Sequence, residues 1–134
     1  KKLVLAAVAV AALAGVAKAQ VVEPPAGGWT TSYKCVIANE LCFVLRVDAG
    51  GLTATQRIDQ VNDRLAYILG YERLAPGNIY VQQSKGRVFI YVGRSVLVEV
   101  TPDDAKANGT TPQTLASFWL ANLQRALPQA RPNF

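Results

Sequence analysis

The chain has no histidine, only two cysteines, and no apolar run after its opening segment long enough to span a bilayer. Each absence closes a route. Without histidine there is no Ser–His or Cys–His nucleophile pair. Two cysteines without histidine fall short of the four ligands of a structural zinc site, so neither metal nor cofactor is expected. Cys35 and Cys42 are separated by six residues in CVIANELC, which is not the Cys-x-x-Cys spacing of a redox dithiol. Gly27-Gly28 and Gly50-Gly51 lack the spacing of a dinucleotide or phosphate loop and read as turns.

What is there begins with KKLVLAAVAVAALAGVAKAQ. Two lysines, an apolar run and Ala17-Lys18-Ala19 have the layout of a secretory signal peptide, residues 1–19, cleaved before Gln20. A retained membrane anchor is the competing reading and would bring membrane contact. Cleavage predicts a periplasmic or extracellular protein. It also takes Lys1, Lys2 and Lys18 away, so 11 of the 14 basic residues face 9 acidic ones and the net charge falls from +5 to +2. That is a solubility charge and no footprint for nucleic acid.

Export also bears on the cysteines, because a lone pair in an oxidising compartment closes into a disulfide. YKCVI and LCFVLRV, rich in β-branched and aromatic residues, read as a hairpin turning at Ala38-Asn39. Placing Cys35 opposite Cys42 and Val36 opposite Leu41 predicts a disulfide clamp across it.

Residues 20–32, rich in Pro, Gly and small polar residues, read as a flexible lead-in that Trp29 could tack down. A single domain is predicted over 33–128, and a loose tail over 129–134. Thr53 and Gln56 form a capping box before Ile58, Val61, Leu65 and Ile68 at helical spacing, with Gly70 as a stop. Arg57, Asp59, Gln60, Asp63 and Arg64 are expected on its solvent side. NIYVQQS, RVFIYVG and VLVEV read as three strands joined by tight links. Alternation puts Ile79, Val81, Val88, Ile90, Val92, Val96, Val98 and Val100 on one face. Tyr80, Gln82, Phe89, Tyr91, Leu97 and Glu99 fall on the other. Thr101-Pro102 starts a short helix stopped by Gly109. Thr111-Pro112 starts a longer one striped by Leu115, Trp119, Leu123 and Leu127 and ended by Pro128.

The order ββαβββα predicts an α+β fold: one five-stranded antiparallel sheet with two helices packed on one face. In the hairpin, Phe43, Leu45 and Val47 suit the helix side. Cys35 and Cys42 would then lie on the more open face, beside Tyr33, Val44 and Arg46. Among charged candidates, Asp103-Asp104 stands where a helix start favours acid, so capping is the simpler reading than catalysis. Asn108-Gly109-Thr110 fits a glycosylation sequon but reads as an Asn-Gly turn.

The remaining candidate is the second sheet face. Tyr33, Tyr80, Phe89 and Tyr91, with Arg46 nearby, are expected to form an aromatic interaction surface. It is either a docking site for a protein of the cell envelope or a membrane complex, or a face covered by the N-terminal segment. The reading is a non-enzymatic interaction domain. Its rivals are a small-ligand module, which needs a concave apolar pocket with converging polar groups, and a small secreted enzyme.

From Val36 to Leu127 the chain also resembles a known domain. The matching stretches are Asn39–Val47, Gly51-Leu52-Thr53 with Arg57 and Arg64-Leu65, Val98–Thr101 with Asp103-Asp104-Ala105, and Thr111-Pro112 before the helix carrying Trp119. They resemble the extracytoplasmic domain that precedes the membrane part of some cyanobacterial small-conductance-type mechanosensitive channel proteins. The resemblance implies an envelope-facing module. This sequence shows no channel portion and adds the Cys35/Cys42 pair, so channel activity does not carry over.

Overall fold

The computed structural model describes residues 33–130. The expected leader, lead-in and Trp29 lie outside the described residues. The elements run β1 (Tyr33–Ile37), β2 (Glu40–Leu45), α1 (Ala54–Tyr71), a 3-10 turn (Pro76–Asn78), β3 (Ile79–Ser84), β4 (Arg87–Val92), β5 (Ser95–Val100), α2 (Pro102–Ala107) and α3 (Pro112–Ala130). The order is the expected one, with α2 as a third helix.

The single five-stranded sheet is not formed. β1 and β2 make a two-stranded sheet, and β3-β4-β5 make a separate three-stranded one, both antiparallel. One contribution lies at the outer edge of β5, one of the two edges where a further strand could pair. Helix α1 packs against β5, β1 and β2 and stands between the two sheets. Its arginines reach that edge: Arg57 Nη2 donates to the Glu99 carbonyl and Arg64 Nη1 to the Leu97 carbonyl, each at 3.4 Å. An edge whose carbonyls are taken by side chains is a poor template for another strand. Helix α3 then ties the halves together, packing on both sheets. Leu115, Trp119, Leu123 and Leu127 are all buried there, and Trp119 stacks on Phe43 at 4.7 Å.

The local signals act as expected at the helix starts. Thr53 and Gln56 close a capping box, and Asp48 adds a bond to the Ala54 N–H. Thr101 and Asp104 close another at α2. Pro128 does not end α3, which continues to Ala130 and takes in the first residues of the expected tail. A proline forfeits one bond this close to the terminus, and the Gln129 side chain caps the Arg125 carbonyl at 2.8 Å.

Two of the three hairpins carry a bulge that alternation does not show. In the first, the turn sits at Ala38-Asn39, both with positive φ, and Val36 pairs with Leu41 as expected. Cys35, however, pairs with Phe43, leaving Cys42 as the extra residue. Cys35, Cys42, Phe43 and Leu45 are therefore all buried in the core, and the cysteines do not lie on an open face. Between β4 and β5, Tyr91 pairs with Val96 and Ile90 with Val98, so Leu97 is the extra residue. Leu97 is fully buried and Val96 moves to the aromatic side, the reverse of the expected assignment. One inserted residue reverses the facing of everything up to the next turn.

Candidate functional site

A solvent-open pocket of about 240 Å³ lies between α1, the loop that follows β2, and the β4–β5 side of the larger sheet. The loop is fixed by reciprocal backbone bonds between Ala49 and Leu52, with Gly50 and Gly51 both at positive φ. Arginines 57, 64 and 87, Gln60 and Glu99 bring polar groups to the pocket, and Val61, Phe89, Val96 and Val98 supply apolar wall.

The three arginines sit in different surroundings. Arg57 was expected on the solvent side of α1 but is buried, 6% exposed. It grips Asp104 with two bonds, Nη1–Oδ1 at 2.9 Å and Nη2–Oδ2 at 2.7 Å, and donates to the Val47 carbonyl at 2.8 Å. A guanidinium at this depth is tolerable because its fork meets a carboxylate and the remaining donors find carbonyls. Asp104 also accepts from the Thr101 backbone N–H at 2.9 Å, so it has the capping role expected of it and a buried ion pair besides. Arg87 grips Glu99 through Nε–Oε2 at 3.1 Å and Nη2–Oε1 at 2.9 Å, at the surface. Arg64 is half-buried, and its bond to the Leu97 carbonyl is long. Asp59 and Asp63 are not at the i±3 or i±4 positions that would face it on the helix.

The expected aromatic surface is brought together in part. Tyr80 and Tyr91 stack with ring centroids 5.6 Å apart, Phe89 meets Tyr91 edge-on at 6.4 Å, and the Arg87 guanidinium lies 5.1 Å over Phe89. These rings line the face of the larger sheet opposite the aliphatic set that meets α3. Tyr80 is anchored, its hydroxyl donating to the Gly93 carbonyl at 2.6 Å. Gly93 itself has positive φ, and a Cβ there would displace the Glu72 carboxylate. Tyr33 belongs to the other sheet and Arg46 follows its second strand, and neither is part of this row. Tyr33 accepts from the Thr55 hydroxyl at 3.0 Å, and Arg46 donates to Asn108 Oδ1 at 2.6 Å. Burial pulls the Arg46 guanidinium below its ordinary pKa. Asn108 also caps α2, ahead of the expected turn at Gly109.

Cys35 and Cys42 are free, buried thiols. Cys35 donates a hydrogen bond to Cys42 and is desolvated, and together these push its pKa well above the ordinary thiol range. The bulge takes the Cys42 carbonyl out of the regular ladder, and Asn122 supplies a donor to it at 3.0 Å from α3. Asn122 in turn accepts from Arg125, which pairs with Glu40. Asn122 was missed by sequence reasoning, although a lone polar residue inside an apolar helix stripe is a usable signal.

Among the described residues no group of His, Cys, Asp or Glu could hold a metal ion, and no helix is long and apolar enough to cross a membrane. The molecule is thus a two-sheet α+β domain with an arginine-lined pocket beside an aromatic sheet face. It belongs to the family described as Domain of unknown function (DUF8459), whose model matches residues 34–130. No curated protein and no solved structure matches the chain.

Proposed function

We propose that this chain is an exported interaction domain of the cell envelope, without catalysis of its own, that docks a protein partner through the aromatic face of β3–β5. The observation that carries this reading is the row Tyr80, Tyr91 and Phe89, held in contact on one face and only half-buried. Gln82 and Ser84 on β3, with Arg87 and Glu99, give that aromatic centre a polar rim, the anatomy of a protein interface. Arg87 and Glu99 neutralise each other. The face therefore suits an uncharged partner surface of aliphatic or proline side chains better than a phosphate backbone. Export rests on the signal-like leader, and the envelope assignment draws on the channel-domain resemblance.

The test is crosslinked affinity capture from detergent-solubilised envelope, comparing wild type with Tyr91→Ser. A defined partner should be lost with Tyr91→Ser and retained with Tyr67→Ser/Tyr71→Ser, which alters an exposed aromatic pair on α1. Tyr80→Phe keeps the ring and should retain capture. Unchanged capture by a folded Tyr91→Ser variant would refute docking. Loss of folding in that variant would favour a face covered by the protein's own N-terminal segment.

A further inference from the structure

The pocket beside α1 borders the docking face, sharing Arg87, Phe89 and Glu99 with it, but carries an inference that does not rest on docking. The charges around it do not cancel. Arg57 is neutralised by Asp104 and Arg87 by Glu99, each through a two-bond fork. Arg64 is the remaining lining cation, and no carboxylate among the described residues bonds to it. A half-buried guanidinium has five N–H donors, and Arg64 spends one of them on a long bond. Gln60 lies one helical turn before it and also lines the pocket. Opposite these polar groups stand Phe89, Val96 and Val98.

From this we propose that the pocket binds a small amphipathic monocarboxylate. Its carboxylate is held by the Arg64 fork, with Gln60 beside it, and its apolar body lies against Phe89, Val96 and Val98. The charge argument selects a single negative charge, because only one lining cation lacks a carboxylate. The fork geometry of guanidinium selects a planar carboxylate. The volume of about 240 Å³ suits a short acyl or single-ring acid. Glu99 does not oppose such an anion, since both its oxygens are taken by Arg87.

The experiment is a titration of the isotopically labelled protein with 3-phenylpropionate, followed by backbone amide shifts. Its neutral amide and inorganic phosphate serve as comparison probes. Saturable shifts should centre on residues 60–64, 89 and 96–98 with the acid, and both comparison probes should bind at least tenfold more weakly. Arg64→Gln should weaken acid binding about tenfold or more, as loss of a charge-assisted hydrogen bond does. Arg64→Lys should keep part of it, and Arg125→Gln, remote from the pocket, should leave it unchanged. Absence of saturable binding would overturn the proposal. So would equal binding of the amide, equal binding of phosphate, or wild-type affinity in Arg64→Gln. Should Arg64→Gln fail to fold, a Gln60→Ala/Val96→Ser variant reads the same site, and unchanged affinity there is equally fatal.

Discussion

Arg57 and Arg87 make the same interaction in opposite surroundings. Each forks onto one carboxylate with two bonds of 2.7 to 3.1 Å. The side chains of the Arg57–Asp104 pair are 7% and 1% exposed, and those of the Arg87–Glu99 pair 63% and 24%. Distance alone would rank them equal. What differs is what each partner meets when the other is removed. At the surface, water replaces the lost bonds. In the interior nothing does, and a bare charge is left where it cannot be solvated. The buried pair also joins three parts of the fold, since Arg57 lies on α1, Asp104 on α2, and Val47 just after β2. The exposed pair links only neighbouring strands.

The largest expected effect is therefore at Asp104. Asp104→Ala strands Arg57 and removes the carboxylate half of the capping box at the start of α2, and should cost about 3–5 kcal/mol in chemical denaturation. For a domain whose whole margin is about 5–15 kcal/mol, that places the variant near the edge of folding. A loss below about 1 kcal/mol would mean that water reaches the Arg57 site and that the contrast with Arg87 is not one of burial.

The cysteine pair sharpens the contrast from the same interior. If export oxidises it, the closed loop should add roughly 2–3 kcal/mol relative to the reduced protein, measured by denaturation with and without reductant. Reduced protein should also show a pH signature. The folded state holds the Cys35 proton more tightly than the unfolded chain, where the thiol titrates near 9.0. The Cys35 contribution is thus fully present below that pH. Cys42, lowered by the bond it accepts from Cys35, adds stability as its own proton leaves on the approach to that pH. Above it the unfolded chain releases the Cys35 proton first, so stability falls as pH rises further. Oxidised protein has no such proton and should lack this alkaline loss. Equal alkaline behaviour in both forms would remove the shared thiol hydrogen bond from the account.

Asn122 should come next. Asn122→Ala leaves the bulged Cys42 carbonyl buried without its side-chain donor and should cost about 1–3 kcal/mol. A variant as stable as wild type would show that the bulge satisfies itself.

These residues also mark where sequence reading stops. The caps at Thr53 and Thr101 and the Ala38-Asn39 turn were legible because each is settled by neighbours within a few positions. The buried face of α3 was legible from its spacing. The bulges at Cys42 and Leu97 were not, because an inserted residue leaves the apolar pattern intact and only moves it to the other face. Arg57 reads as a surface charge because its partner lies 47 residues away. The division into two sheets goes with α1 packing against β5, β1 and β2, which no local pattern encodes. Of the candidate surface, the three aromatics on adjacent strands were brought together. Tyr33 and Arg46 were misplaced with them because they lie in and just after the sheet that separates. The pocket depends on the same separation and left no trace in the sequence reading.

The smallest expected effect closes the comparison. Arg87→Gln removes one partner of a fork as regular as that of Arg57, yet should leave the melting temperature without a resolvable change. Glu99 keeps enough exposure to be hydrated once Arg87 is gone, and holding two long side chains in register already cost conformational entropy that the variant recovers. Raising the salt concentration should likewise leave wild type and variant together, since an exposed pair is screened before it contributes much. The informative measurement is Arg87→Gln beside Asp104→Ala under the same conditions. Should Arg87→Gln lose as much as Asp104→Ala, the exposed pair would be acting as a structural clamp on β4 and β5. Fork geometry, rather than burial, would then be what makes an ion pair matter in this domain.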